Sequence, residues 1–231
     1  MIGIIGALEQ EIEGLVKELT ECRNETFASM KFHIGKLGER EVVIVQCGIG
    51  KVNAAICAQI LIDRYNVQLI INTGAAGSLN NAINIGDIVI SDRVVHHDMN
   101  SVKLGAEYGR VPGLPLYYEA DKDISDAFEK ICRTQFPEIN VFRGLIASGD
   151  EFVSDIEGKK RILSNFDALC AEMEGAAIAQ CAYVNNIKFL IIRAVSDKAD
   201  NSAEEDFPTF LKMAGARSKK MIITLIKEYN F

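Results

Sequence analysis

Short, uninterrupted apolar runs recur along this chain with helical periodicity between them, and that alternation constrains the fold more than any other feature. Met1–Gly6 is apolar throughout, as a strand buried on both faces must be. From Leu8 the apolar residues recur at Ile12, Leu15, Val16 and Leu19, the stripe of an amphipathic helix. Met30–Leu37 and Glu41–Cys47 read as strands joined by Gly38-Glu39-Arg40 in an antiparallel hairpin, so the sheet is mixed. Further strands are predicted at Val67–Asn72, Asp87–Val95, Val141–Ser148, Ala168–Glu172 and Phe189–Ser196. Helices are predicted over Val52–Tyr65, Asp123–Gln135, Ser154–Ser164, Gly175–Asn185 and Phe207–Tyr229. Thr73–Gly77 is predicted to be a loop of small residues where backbone comes close to a neighbour. The fold class is α/β.

The 231 residues carry 25 Lys+Arg against 32 Asp+Glu, a net charge of −7, which argues against nucleic acid or another polyanion as partner. With 48% hydrophobic residues, a chain of this length buries a core that needs no disulfide or metal staple. No apolar run approaches the roughly 18 residues of a membrane span, and the first residues lack the basic stretch of an export signal. A cytoplasmic location with no membrane partner is expected. Cys22, Cys47, Cys57, Cys132, Cys170 and Cys181 show no CxxC spacing and are read as packing residues in a reducing compartment. With four prolines, no Pro- or Ser-rich linker and no internal repeat, residues 1–231 are expected to form a single domain.

In open α/β sheets ligands sit beyond the carboxyl ends of the strands. Six segments leave predicted strand ends: Gly6–Glu11, Gly48–Lys51, Thr73–Gly77, Ser148–Val153, Glu172–Glu174 and Ser196–Asp200. Glu9, Glu11 and Glu13 open the first helix, where acids also favour the helix dipole. At about 100° per residue, Glu9 and Glu11 flank the apolar stripe equally and Glu13 points farther out, which leaves two candidates. Glu174 fits the cap of the following Ala-rich helix, whereas Glu172 has no obvious partner. Arg193 ends an apolar strand and needs a carboxylate or a ligand, with Asp197 at the lip. An aspartate in that place is as often a turn residue.

Gly48-Ile49-Gly50-Lys51 lacks the spacing of a phosphate loop and reads as a tight strand-to-helix turn. His96 and His97 point to opposite faces of their strand, and His33 stands alone with a structural or solvent role, so no metal site is expected.

Gly3–Glu11, Cys47–Ala55, Asn72–Gly77, Ser148-Gly149-Asp150, Glu172-Met173-Glu174 and Arg193–Asp197 together resemble the bacterial 5'-methylthioadenosine/S-adenosylhomocysteine nucleosidases, in order and from residue 1 into the final helix. The resemblance implies a three-layer α/β/α sandwich around a central mixed, twisted sheet, nucleoside phosphorylase-like, and a homodimer. It implies hydrolysis of the N-glycosidic bond of adenine thionucleosides with no cofactor, in methionine salvage and methyl-cycle recycling. Substrates in reach include 5'-deoxyadenosine and 6-amino-6-deoxyfutalosine. By the same resemblance Glu11 is the water-activating base and Asp197 the acid that protonates adenine. Glu174 and Met173 meet the ribose, Phe152 stacks on the base, and Ala7, Val153, Arg193, Ser196 and Phe207 complete the walls, with Ala75 and Glu172 also in contact with substrate.

Adenine is a poor leaving group as an anion, so the chemistry wants N7 protonated while the ribosyl ring becomes cation-like. That requires one carboxyl kept protonated by a desolvated site and a second one ionised to take a proton from water. A phosphorylase is the nearest rival, yet phosphate wants clustered cations and Thr73–Gly77 carries none. A nucleoside-binding or storage protein is the rival that binds without turnover. Ala75 stands where many relatives have serine. In the loop from Leu104 to Pro115, which by the resemblance caps the partner subunit's site, Leu104 and Ala106 stand where some relatives have aromatics, with Tyr108 and Pro112 nearby. These departures leave the preferred 5' substituent open.

Overall fold

The strand Ile2–Gly6 (β1) is buried along its length because parallel partners flank it on both edges, Arg40–Gln46 (β4) and Leu69–Ser78 (β5). The computed structural model describes residues 1–229, apart from the side chains of 204, 205, 208, 212–214 and 216. Outside β4 lie Met30–Leu37 (β3) and then Thr20–Phe27 (β2), both antiparallel, so the predicted hairpin is present and the sheet is mixed. On the other side, β5 pairs both with Ala168–Glu172 (β9) and with Lys188–Asp197 (β10). Ile88–His96 (β6) pairs with β10, and Val141–Ser148 (β8) joins β6 to β9, so these five strands close into a ring. The two-residue strand Tyr118–Glu119 (β7) adds to the edge of β6.

Alternate side chains of the strands enter two different cores, as the two-residue period of a strand requires. Ile4, Ile44, Ile71 and Leu190 face Glu9–Val16 (α1), Lys122–Gln135 (α3) and Ala203–Glu228 (α6). Ile5, Val45, Ile70 and Ile191 face Lys51–Tyr65 (α2) and Gly175–Val184 (α5). The result is the expected three layers. A smaller cluster of Val95, Leu145, Ile162 and Phe166 seats Ile156–Leu163 (α4).

Several expectations change. The strand β2 was not legible because its sequence, TECRNETF, is polar and lies exposed on the sheet edge, where no core selects apolar residues. Cys22 is exposed on it, unlike the other five cysteines, which are buried. Thr73–Gly77 is not a loop: β5 continues to Ser78, because β10 runs beside it with Gly74 opposite Arg193 and Ala76 opposite Val195. The first helix stops at Val16, short of Leu19, and the last begins at Ala203 rather than Phe207. Among the described residues, no helix is long and apolar enough to cross a membrane.

Candidate active site

The C-terminal ends of β1, β5, β9 and β10, together with the segment that follows β8, surround a cavity of about 350 Å³. Glu11, Glu174 and Asp197, which reach it from three distant parts of the chain, share this single hollow. Ala7, Ala75, Phe152, Glu172, Met173, Ser196 and Phe207 also line it, together with Leu8, Ile49, Ala76 and Gly77 from the predicted strand-end segments and Ala171, which the sequence did not single out.

Two expected wall residues are elsewhere. Val153 is 6% exposed and packs in the cluster under α4, because the chain leaving β8 turns Phe152 outward and its neighbour inward. Phe152 meets Phe207 edge-on, with ring centroids 5.6 Å apart. Arg193, 1% exposed, lies beneath the floor instead of in the wall.

Of the three acids in the first helix, only Glu11 turns inward, which resolves the choice the helical angle left open. Its Oε2 accepts the N–H groups of Ala7 (2.7 Å) and Leu8 (2.9 Å), and Oε1 accepts that of Ala75 (3.0 Å). Leu8 is the residue capping α1, so Glu11 also ties down a helix end as a third-position glutamate does. Burial pushes its carboxyl above the ordinary glutamate value, against the pull of these donors and of Arg193. Glu9 opens instead into a separate cleft with Lys17 and His33, and Glu13 pairs with Lys17.

The Asp197 carboxyl accepts the N–H of Ala199 at Oδ1 (2.9 Å) and the Ser196 hydroxyl at Oδ2 (2.8 Å). Burial raises its pKa above the ordinary aspartate value, and Asp206 and Asp200 add to the rise. Glu174 accepts the N–H of Gly50 (2.9 Å) at one oxygen, while the other lies 4.0 Å from Arg193. Burial, followed by the charge of Glu172, pushes Glu174 up to about 7. Gly50 makes this approach with φ at 96°, so the Gly48–Lys51 turn supplies a donor to the site as well as a bend.

Glu172 does have partners. Arg193 and the Ser148 hydroxyl donate to it, and the N–H groups of Glu174 (3.1 Å) and Gly175 (2.8 Å) saturate what remains. Burial alone would raise Glu172, but Arg193 and these donors hold it below the ordinary value. The Arg193 guanidinium also donates to the side chain of Asn72. Arg193 and Glu172 thus form a buried pair that carries fixed charge under the cavity. Replacing Arg193 by methionine strands the carboxylate, and a loss of about 3–5 kcal/mol in unfolding free energy is expected from urea denaturation.

The glycines of β5 are what let this pair and Glu11 meet. A Cβ on Gly74 would stand 2.8 Å from Glu11 Oε1 and 2.9 Å from Arg193 Nη1, and one on Gly77 would stand 2.7 Å from Asp197 Oδ1. Nearby, the two histidines engage different neighbours: His96 shares a hydrogen bond with Gln180 (2.9 Å), and the His97 ring lies against Gly149.

Residues 1–227 match the family model of the phosphorylase superfamily. A 5'-methylthioadenosine/S-adenosylhomocysteine nucleosidase of Staphylococcus aureus is 42% identical over 229 residues, covering 99% of this chain and all of that one. A crystal structure of the Neisseria meningitidis nucleosidase with methylthio-immucillin-A superposes with a TM-score of 0.96 at 38% identity, covering 99% of both chains. One of a Streptococcus pyogenes S-adenosylhomocysteine nucleosidase with 5-methylthiotubericidin gives 0.96 at 37% identity, covering 100% of this chain and 97% of that one.

Proposed function

Because this chain belongs to the 5'-methylthioadenosine/S-adenosylhomocysteine nucleosidases of the phosphorylase superfamily, we propose that its cavity hydrolyses the N-glycosidic bond of those two nucleosides, releasing adenine and the thioribose. The observation that supports this most is the pairing, in one apolar hollow, of two buried carboxyls whose pKa values both lie above the ordinary range. The ligands of the meningococcal and streptococcal relatives, both methylthio compounds, support the same substrate class.

In this reading Asp197 enters the reaction protonated and delivers its proton to N7 of adenine, so that the base departs neutral. Its burial favours the protonated form, and Ser196 and the N–H of Ala199 then stabilise the carboxylate that remains. Glu11 is the ionised partner. Anchored by three N–H groups, it orients a water toward C1' and takes its proton. Glu174 accepts from the ribose hydroxyls beside Met173, and its charge favours the oxocarbenium-like state over the neutral substrate. The rings of Phe152 and Phe207 give the adenine an apolar face to stack on.

Phosphorolysis is disfavoured by the same walls: among the described residues lining the cavity there is no lysine or arginine to hold a phosphate dianion. Adenine release from 5'-methylthioadenosine is expected at the same rate with and without phosphate, followed by ultraviolet absorbance. A strict need for phosphate would overturn the hydrolase reading, and binding without release would point to a storage protein.

The chain is read as one domain over residues 1–231 and as a cytoplasmic homodimer. Exposed Val52 and Ile56 on α2, beside Tyr183 and Val184 on α5, support a self-association surface, and six free thiols support a reducing compartment.

A further inference from the structure

The strand β10 pairs with β5 residue for residue from Lys188 opposite Leu69 to Val195 opposite Ala76, and there the register slips. Asp197, not Ser196, stands opposite Gly77, and the ladder ends at that pair. A slip of this kind leaves one residue unpaired and re-aims the side chain that follows. Past the bulge the chain needs another anchor, because Ala199 adopts a left-handed φ of 48°, a conformation that persists only where the surroundings fix it. Ala199 is also the residue whose N–H meets Asp197 Oδ1.

The anchor is a side chain from a different element. Lys159 on α4 reaches across the open end of the ladder, and its ammonium donates to the carbonyl of Ser78 (2.8 Å) and to that of Lys198 (2.7 Å). One cation therefore joins the end of β5 to the peptide between Asp197 and Ala199. From the opposite side Lys198 sends its own ammonium to Asn84 Oδ1 at 3.1 Å. Lys159 does not line the cavity, so it touches no substrate.

We propose that Lys159 is a positioning residue for Asp197: by clamping the two strand ends beyond the bulge, its ammonium holds the Asp197–Ala199 turn in the arrangement that aims the carboxyl into the cavity. The inference rests on the reading of Asp197 as the acid. Displacing a reacting group by about 1 Å costs on the order of 100-fold in rate, which makes such a clamp worth detecting. The charged groups around Asp197 are Lys198 and Asp200 in its own turn, Arg193 on β10, Asp206 on α6 and Lys159 on α4, with Glu11 on α1 and Glu172 and Glu174 on the other walls. Arg193 is paired with Glu172 and Lys198 turns its ammonium to Asn84, which leaves Lys159 as the cation that crosses to this turn and favours the ionised acid, so its removal also weakens the acid's readiness to give up a proton.

The test compares wild type, Lys159→Met, Lys159→Gln and Lys159→Arg in steady-state adenine release, with Lys160→Met as the exposed neighbour control and Asp197→Asn as the reference for a lost acid. In Lys159→Met, kcat is expected to fall about 10- to 100-fold with KM within about 3-fold of wild type. The descending limb of its pH profile is expected to move to higher pH, since the acid loses a nearby positive charge. Lys159→Gln, which keeps a donor and serves if the methionine variant folds poorly, is expected to fall between, and Lys159→Arg to recover most of the rate. Unchanged kcat in Lys159→Met while Asp197→Asn is inactive overturns the clamp and leaves the acid assignment standing. A lowered Tm with the pH limb unmoved overturns it as well, by reducing Lys159 to a structural strut. Normal turnover in Asp197→Asn overturns both.

Discussion

Asp197→Asn is expected to lower kcat for adenine release by about 10²–10⁴-fold while nucleoside binding survives. The substitution keeps the local geometry intact. Asparagine Oδ1 still accepts the N–H of Ala199, and its Nδ2 donates to the Ser196 hydroxyl where the carboxylate accepted from it. What disappears is the proton for N7, so adenine must leave as an anion. Equilibrium binding of 5'-methylthioadenosine to the variant, set beside single-turnover adenine release, separates the two effects. Turnover within a few-fold of wild type would remove Asp197 from the mechanism.

Glu11→Gln is expected to be comparably severe, about 10²–10⁴-fold in kcat, and also to weaken the fold. The carboxylate accepts three backbone N–H groups, two at Oε2 and one at Oε1. An amide has only one oxygen, so whichever way it turns, its NH₂ faces at least one buried N–H. That unsatisfied donor costs about 1–3 kcal/mol, measurable by urea denaturation. The pH profile gives an independent check. A base must be ionised, and a raised pKa shifts its ascending limb to higher pH than an ordinary glutamate would show. Wild-type kcat/KM should therefore still be climbing above the usual carboxylate range. In Glu11→Gln the climb that remains belongs to Glu174, which burial and the charge of Glu172 still raise but the lost Glu11 charge no longer does, so that limb moves to lower pH than in wild type. A variant with wild-type rate and an unaltered profile would show that water is activated elsewhere.

The readable parts of the fold were those where a core selects the residues. Strand β1 and helix α2 are plain in the sequence because one is apolar on both faces and the other returns Ala54, Cys57, Ala58 and Leu61 to a single core. Strand β2 has no such constraint, and its polar residues carry no period to find. The misread Thr73–Gly77 is more instructive. Its glycines and alanines have the composition of a loop, yet they form a strand, because Glu11, Arg193 and Asp197 pass so close that side chains there would collide with them. Local propensity pointed one way and the site's crowding required the other.

For the site, the sequence alone determined which residue types stand at the strand ends, and through motif order it named Glu11, Glu174 and Asp197 as residues of interest. The helical angle by itself could not choose Glu11 over Glu9, since both lie equally far from the helix stripe. Tertiary structure decided that, by turning the Ala7, Leu8 and Ala75 amides onto one carboxylate. It likewise gave Glu172 to Arg193 and Ser148, sent Val153 into the core, and brought Lys159 to the turn after Asp197. The physical reason is range. Periodicity and propensity act over a few residues, whereas the burial, hydrogen bonds and charges that set the Glu11 pKa come from as far along the chain as Ala75, 64 residues away, and Arg193, farther still, and only the packed chain brings them together.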